Sequence, residues 1–550
     1  MLFSRRETFA LGLALTTSCL AATGCSSDSE SDTDENAIEI DCTHDMAGAE
    51  VADVQAWIKA FVYDEDEQAA VMEKIEAAKN GQTLDAPLVV YNPFGTNTLS
   101  LYAYFTTEEA ASVSYTVHAG KSKSTSVPDF TRAVNGGNAE TTHEFQVIGL
   151  VPDATSTVTI TASRDDGTTE QCVLSCKVGD LLGDEELQLD VTEGKSDVEL
   201  AEGLYAVLGN DSTDADFMYY YDNDGFLRGE VPVIGYRSHR MLFDDEGTMY
   251  YSASQSKMAA MNALGQIVRV YHLGDYDLHH DYVWADEATM LVLATDTSRD
   301  DSDEDLVIAL DVDTGAVSEL VDMGELLPAY KEAAFAYHEA NSEPDEDEED
   351  DVPGWMHINS LQYLAAEDAV LLSSRETSTI FKVSGVVAGE PQLDYLLASE
   401  LFWAGTDYEE LVFAQVGDFT VHGGQHCLAY VEDDALEDGQ YYLQFFNNNL
   451  GVSASTTNDF DYEDAGIGES GCSYYYVYLV DENEGTFALA DSLEVPYSGY
   501  VSSVQWKDGN LIVDSGTQGL FTEYDADYNP IRTFSMGAEK FIYRVFKYDL

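Results

Sequence analysis

From about residue 197 onward the chain repeats one small unit, two short apolar runs joined by an acidic, often glycine-containing turn. FDDEGTMYY from Phe243 and WADEATMLV from Trp284 place comparable hairpins 41 residues apart. MNALGQIVRVY, DVDTGAVSELV, YLAAEDAVLLSS and WKDGNLIVDSG continue the pattern. A period of roughly 40–50 residues holding about four strands is the signature of a β-propeller. Residues 197–550, less one insertion at 328–353, accommodate six to seven such blades. A series of sandwiches is the competing architecture. The insertion, PAYKEAAFAYHEANSEPDEDEEDDVP, is a helix-like stretch running into acids, and the expectation for it is a solvated loop.

Upstream the patterning changes. LSLYAYF, SVSYTVHA, HEFQVIGL and STVTITAS alternate apolar and polar residues between turn signals, which predicts a small antiparallel β-sandwich over 86–196. Residues 46–85 read as a short helical segment, with Val54, Trp57, Ile58 and Phe61 at helical spacing and a second helix ending near Gly81. Residues 26–45 begin with a Ser- and acid-rich run and are expected to be a disordered tether. Residues 1–25 carry Arg5 and Arg6, an apolar stretch too short for a comfortable span, and Ala22-Thr23-Gly24-Cys25. That resembles a bacterial lipoprotein signal, loosely twin-arginine, with Cys25 as the lipidated residue. The expected product is exported and tethered by lipid to the outer face of a bacterial membrane, or periplasmic.

Acidic residues number 103 against 25 basic ones, a formal net charge of −78. Nucleic-acid binding is excluded, because it needs Lys and Arg to displace counterions. Where so few cations exist, those near strand ends carry information. His279-His280-Asp281, His357 with Asn359 in WMHINS, Arg375 in SSRE, and His422 with His426 in VHGGQH all lie among short strands. A zinc reading of His422 and His426 is weak, since the two glycines between them do not make a helix and no Glu follows. Calcium in turns such as DNDG and DVDTG competes with simple hairpin use, and neither has a twelve-residue loop with a terminal Glu. No G-x-S-x-G elbow supports a serine hydrolase. Neither a metal nor another cofactor is expected.

Three histidines and an arginine at comparable places in different repeats would converge at one end of the propeller axis. Such a site suits a tetrahedral anion: arginine offers a two-pronged grip, and a neutral imidazole can donate hydrogen bonds or attack. Tyr236-Arg237-Ser238-His239-Arg240 forms a second basic island, and Arg237 and Arg240 are expected to face the same opening. Cys427 and Cys472 are candidates for a bridge that fixes the His426 loop, while Cys172 and Cys176 could pair or stay reduced.

The set HHD, W-M-H-x-N-S, SSR eighteen residues beyond that His, and Q-H followed by F-x-N-N resembles the bacterial arylsulfate sulfotransferases. APLVVYNPFGTNTLSLYAYFTTEE resembles that family's N-terminal domain. The resemblance implies an all-β chain, a six-bladed propeller preceded by a small β-sandwich. It implies transfer of a sulfuryl group from an aryl sulfate donor to a phenolic acceptor, without the nucleotide donor PAPS, through a covalent sulfo-histidine. His426 matches the nucleophile, His280, His357 and Arg375 the sulfate-holding residues, and Asn359 a further contact to the anion. A monomer or homodimer is expected. A non-catalytic cell-surface propeller, or a lyase or hydrolase of anionic glycans, are the alternative functions.

Overall fold

Apolar residues on one face of each short strand have to be covered by the next sheet, and that requirement organises most of the chain. The computed structural model describes residues 37–550 apart from 45, 120, 123–124, 184, 211–215, 342–351, 456 and 539. The signal, Cys25, most of the acidic tether and the acidic run of the insertion therefore lie outside the described residues. Contacts divide the chain into two units, one of residues 1–45, 75–93 and 99–179, the other of 46–74, 94–98 and 180–550.

The first unit is the expected sandwich. Its longest strand, Ser100–His118, pairs through its first half with Leu88–Tyr91 and Glu140–Ile148. Its second half pairs with Phe130–Ala133 and Ala154–Ser163. The register shifts between Thr106 and Ala111, where the strand passes from one sheet to the other. Val113, Tyr115 and Val117 alternate inward, as their period-two spacing predicts. The tether ends earlier than expected: Ile38–Ile40 runs parallel to Thr169–Val178, and Cys42 is bonded to Cys176. Cys172, Cys427 and Cys472 are free. The expected Cys427–Cys472 bridge is absent because Cys427 is buried with its sulfur against the Val504 backbone, whereas Cys472 lies half-exposed beside Ser470.

The second unit is a six-bladed propeller. Met241–Phe243, Tyr276–Trp284, Ile358–Leu364, His426–Val431 and Ser503–Lys507 each begin a blade and are followed by its next three strands in order. The remaining blade is composite. Its first strand, Ile542–Tyr548, pairs antiparallel with Leu204–Asn210 from the other end of the ring. Asp190–Glu193 adds an outer strand to the blade begun by Ser503–Lys507. The propeller thus starts before the expected boundary of 197. Two devices of this kind close the ring and remove open edges.

The acidic turns serve the hairpins. Asp244 Oδ1 accepts the backbone N–H groups of Glu246 (2.9 Å) and Thr248 (2.8 Å). In DNDG, Asp222 Oδ1 caps Asp224 and Phe226 while Oδ2 pairs with Arg228 at 2.7 Å. Those carboxylates are occupied by their own turns, which is why Asp recurs there. The insertion is not the solvated loop expected: Pro328–Asn341 is a helix whose Ala334 is buried in a cluster with Leu327, Trp355 and Trp403. Of the helices expected over 46–85, the first packs Val54, Ile58 and Phe61 inward. From the second, Glu65 and Gln68 accept the Val270 and Ile267 N–H groups of a blade's outer strand.

The Cys42–Cys176 bond spans a sequence separation of 134. Cys176→Ser is expected to destabilise the sandwich unit by about 2–5 kcal/mol, read by denaturant unfolding. Cys472→Ser should leave the curve unchanged.

Candidate active site

Several inner strands of the propeller contain or directly follow a non-glycine residue with left-handed backbone. His280 (φ 54°), His357 (φ 49°) and Cys427 (φ 57°) are non-glycine examples, two of them themselves candidate site residues. The strand register shifts between Leu278 and Tyr282, between Ile358 and Ser360, and between His426 and Ala429. Such bulges turn one side chain out of the sheet's alternation and are maintained only where surroundings over-determine them. Here they bring side chains from neighbouring blades together.

His280 and His357 have ring centroids 4.6 Å apart, and His279, His239 and Tyr543 pack around His280 at 5.1, 6.3 and 5.9 Å. Tyr543 donates its O–H to the His280 carbonyl at 2.9 Å. Arg375 joins from the end of the strand Ala369–Ser374, its N–H donating to the His357 carbonyl at 3.1 Å. Its guanidinium is held by Glu376 Oε1 at 2.9 and 2.7 Å. Glu376 is fully buried, and its other oxygen takes hydrogen bonds from the Ser453 hydroxyl and the Ser455 N–H.

His426 has a defined tautomer. The Asn448 amide nitrogen donates to the carbonyls of Ser498 (2.7 Å) and Val501 (3.0 Å), so its oxygen faces the ring. Nδ1 of His426 lies 2.7 Å from that oxygen and 2.9 Å from the Gly424 carbonyl. Both are acceptors, so Nδ1 carries the proton and Nε2 carries a lone pair. Burial pushes the His426 pKa down to about 3; the Asn448 bond opposes this, and the nearby Arg375 and His357 add to it. The ring is neutral at physiological pH and feels the charge of Arg375.

Arg237 lies among the same side chains. Its guanidinium stacks on Tyr236 and Tyr543, both at 4.5 Å, and its charge opposes protonation of His239, His280 and His357. Arg240 does not face the opening. It lies 3.4 Å from the buried Asp281, which also binds Arg544 at 3.0 Å. Asn359 likewise has another task than gripping an anion: it is fully buried and donates to the Gln425 carbonyl at 2.8 Å. Gln425 in turn donates to Ser373, Ser374 and Thr379, which locks the His426 strand to the blade carrying Arg375.

His422 is no partner for His426 in a metal site, since it is buried against Tyr478 with Nδ1 3.1 Å from that hydroxyl. Among the described residues, donor atoms of His279, His280 and Glu304 lie within 4.8 Å of one another, a spacing that a cation could bridge. The structure occupies them otherwise: the two Nδ1 atoms are 3.0 Å apart, at hydrogen-bond distance, and Glu304 bonds His357. Glu304, Glu376 and Tyr543 were not singled out by the sequence, whereas Asn448 closes the F-x-N-N motif. Asn448 stands in the visible Asn run and Glu376 directly follows Arg375, but Glu304 sits in an acid-rich loop with nothing to mark it.

Comparison with known proteins follows the same division. The arylsulfotransferase (ASST) family matches residues 190–544, and the arylsulfotransferase Ig-like domain matches 88–178. The chain belongs to the arylsulfotransferase family. Arylsulfate sulfotransferase AssT of Escherichia coli O6:H1 (strain CFT073) is 24% identical over 221 residues, which are 35% of this chain and 36% of the relative. The match thus spans about a third of that curated relative's length. Among solved structures, the periplasmic gluconolactonase PpgL of Pseudomonas aeruginosa is similar at 10% identity and TM-score 0.32, covering 77% of this chain and 97% of its own. The WD40 domain of Toxoplasma gondii coronin is similar at 9% identity and TM-score 0.31, covering 64% of this chain and 78% of its own.

Two outcomes test this geometry. Burial lowers the pKa of His239, His280, His357 and His426, whereas in the unfolded chain each takes a proton near 6.5. The unfolded state therefore binds more protons below that pH. The stabilisation is complete above about pH 6.5 and drains as pH falls, by about 1.4 kcal/mol per pH unit for each histidine. Unfolding should show little dependence from these groups above about pH 6.5 and a fall toward that slope below it, shallower by up to one proton in His426→Asn. Second, Arg237→Gln should weaken binding of inorganic sulfate, and more at low salt than at high. Arg240→Gln should instead lower stability, by about 3 kcal/mol, with sulfate affinity little changed.

Proposed function

We propose that the protein moves a sulfuryl group from an aryl sulfate to a phenol, by way of a covalent adduct on His426 and without a nucleotide donor. One observation carries this reading: the Nδ1 proton of His426 is fixed by Asn448 and Gly424, which leaves Nε2 as a neutral nucleophile on a ring that feels the charge of Arg375. In the first half-reaction Nε2 attacks sulfur, an N–S bond forms, the S–O bond breaks and a phenolate leaves. In the second the incoming phenol oxygen attacks the same sulfur, the N–S bond breaks to release His426, and the phenol's proton is given up to balance the phenolate released in the first. Charge on the peripheral oxygens is met by Arg375 and by imidazole N–H of the His280 and His357 pair. Catalysis of this kind rests on positioning and preorganised donors, each costing about 2.7–4 kcal/mol when removed.

The geometry also agrees with the chain's overall charge. At physiological salt, fields decay over about 8 Å, so an anionic donor responds to the local cluster of Arg237, Arg375 and imidazoles more than to the −78 of the whole chain. In this reading the enzyme is exported and anchored through lipid on Cys25, where phenols are met outside the cytoplasm.

The test uses a chromogenic aryl sulfate with and without added phenol. Phenol-dependent release is expected, together with an adduct on the His426 peptide after incubation with donor alone. His426→Asn should abolish both. Release independent of acceptor would indicate a hydrolase, and no release at all a binding protein; either result overturns the proposal.

A further inference from the structure

A carboxylate placed against a site for an anion needs a reason. Glu376 has one, since it holds Arg375 in place. Glu304 does not touch any arginine in a salt bridge, yet it is set deliberately between the two histidines. Its backbone is left-handed (φ 50°), its N–H donates to Thr295 Oγ1 at 2.8 Å, and its carbonyl accepts the Ile358 N–H at 2.9 Å. It is therefore tied to the blade of His280 on one side and the blade of His357 on the other.

The carboxyl treats the two imidazoles differently. Glu304 Oε2 is bonded to His357 Nδ1, while Oε1 stands 3.6 Å from His280 Nδ1. His280 Nδ1 has its closest polar neighbour in His279 Nδ1, at 3.0 Å. The carboxyl thus claims Nδ1 of His357, which leaves Nε2 as the nitrogen that can serve a ligand. His280 has no such partner.

Resting on the sulfuryl-transfer reading above, we propose that Glu304 and His357 form a carboxyl–imidazole pair with one transferable proton, which is lent to the departing phenolate and recovered from the incoming phenol. His280, without a carboxyl bond, serves the sulfuryl oxygens. The pair begins as a protonated carboxyl bonded to Nδ1 of a neutral imidazole whose Nε2 bears hydrogen. As the S–O bond breaks, Nε2–H passes to the phenolate oxygen and the carboxyl proton moves to Nδ1. The pair is then a carboxylate with a neutral Nδ1–H imidazole, and its bare Nε2 takes the proton of the second phenol as that oxygen attacks sulfur. One proton leaves and one returns, and no further reactant is needed.

Burial raises the Glu304 carboxyl, opposed by the charges of His279, Arg375 and Arg237. Burial also lowers His357, helped by Arg375 and Arg237 and opposed by Glu376. Both directions favour the uncharged starting pair. Those groups, with His280, are the charged and titratable neighbours that face it. Glu304 does not reach the reacting atoms, so it is a positioning residue and proton reserve acting through His357.

The experiment is Glu304→Gln, which keeps a hydrogen-bonding side chain but cannot release a proton. It is assayed with a series of aryl sulfates from nitrophenyl to unsubstituted phenyl, whose phenol is about as weakly acidic as tyrosine, pKa ~10. A strongly acidic phenol departs without help. The expected result is a fall in kcat of about 100-fold with phenyl sulfate, within the range of acid–base catalysis, less than about tenfold with nitrophenyl sulfate, and an unchanged donor KM. Glu304→Gln/His357→Gln should be no slower with phenyl sulfate than His357→Gln alone. An equal loss across the series would overturn the inference, as would no loss with phenyl sulfate, or loss of wild-type activity with a chelator that is restored by zinc. Because adduct formation from nitrophenyl sulfate is followed on the His426 peptide in the same samples, its absence in the wild type marks failure of the transfer reading instead. Adduct formation with a flat leaving-group dependence marks failure of the pair alone.

Discussion

A single buried carboxylate at the propeller axis holds the site's scaffold together. Asp281 is fully buried and binds Arg544 at 3.0 Å, the Ser360 hydroxyl at 3.0 Å and the Leu361 N–H at 3.2 Å, with Arg240 at 3.4 Å. Burial alone would raise its pKa, but the two arginines and these hydrogen bonds outweigh it, and the group stays ionised. These partners come from three other blades, so that with its own blade Asp281 joins four. Ser360 extends the network to a fifth through the Leu428 N–H. Since Asp281 directly follows His280, the pin that joins the blades and a ring that faces the site are consecutive residues. Removing one partner of such a buried pair leaves a bare charge at a cost of about 3–5 kcal/mol, so the carboxylate and its arginines have to be kept or lost together.

Around that pin the basic residues divide by task. Arg544 and Arg240 neutralise Asp281, Arg228 serves a turn, and Arg375 and Arg237 remain for the site. Each of the last two is itself steadied, Arg375 by Glu376 and Arg237 by aromatic faces. A stacked guanidinium keeps its charge without a carboxylate partner, which suits a residue meant to meet an anion. The imidazoles add donors without adding charge, because burial keeps them neutral.

The propeller was legible because its turns are chemically marked: an Asp that caps its own hairpin recurs at a fixed interval. The histidines were legible because His357 and His426 open inner strands, His280 stands at a bulge inside one, and cations are scarce. The errors share one cause, which is that sequence neighbourhood does not report side-chain direction. Arg237 and Arg240 lie three positions apart, yet one stacks beside the histidines and the other turns to Asp281. Asn359 lies two residues from His357 but is turned to the Gln425 carbonyl. Cys427 follows His426 and is buried away from Cys472, while Cys42 and Cys176, far apart along the chain, are brought together by a parallel strand. Glu304 was invisible for a different reason, as one acid among many with its role conferred wholly by the fold.

The ring is joined by strands that are remote in sequence, Ile542–Tyr548 beside Leu204–Asn210. Tyr543 and Arg544, which support His280 and Asp281, lie in the later of the two. A ribosome that stalls before this strand would deliver all the histidines and no assembled centre. Pairing of such distant segments is slow and comes late in folding. The support of His280 and Asp281 is therefore set in place only when that distant pairing forms.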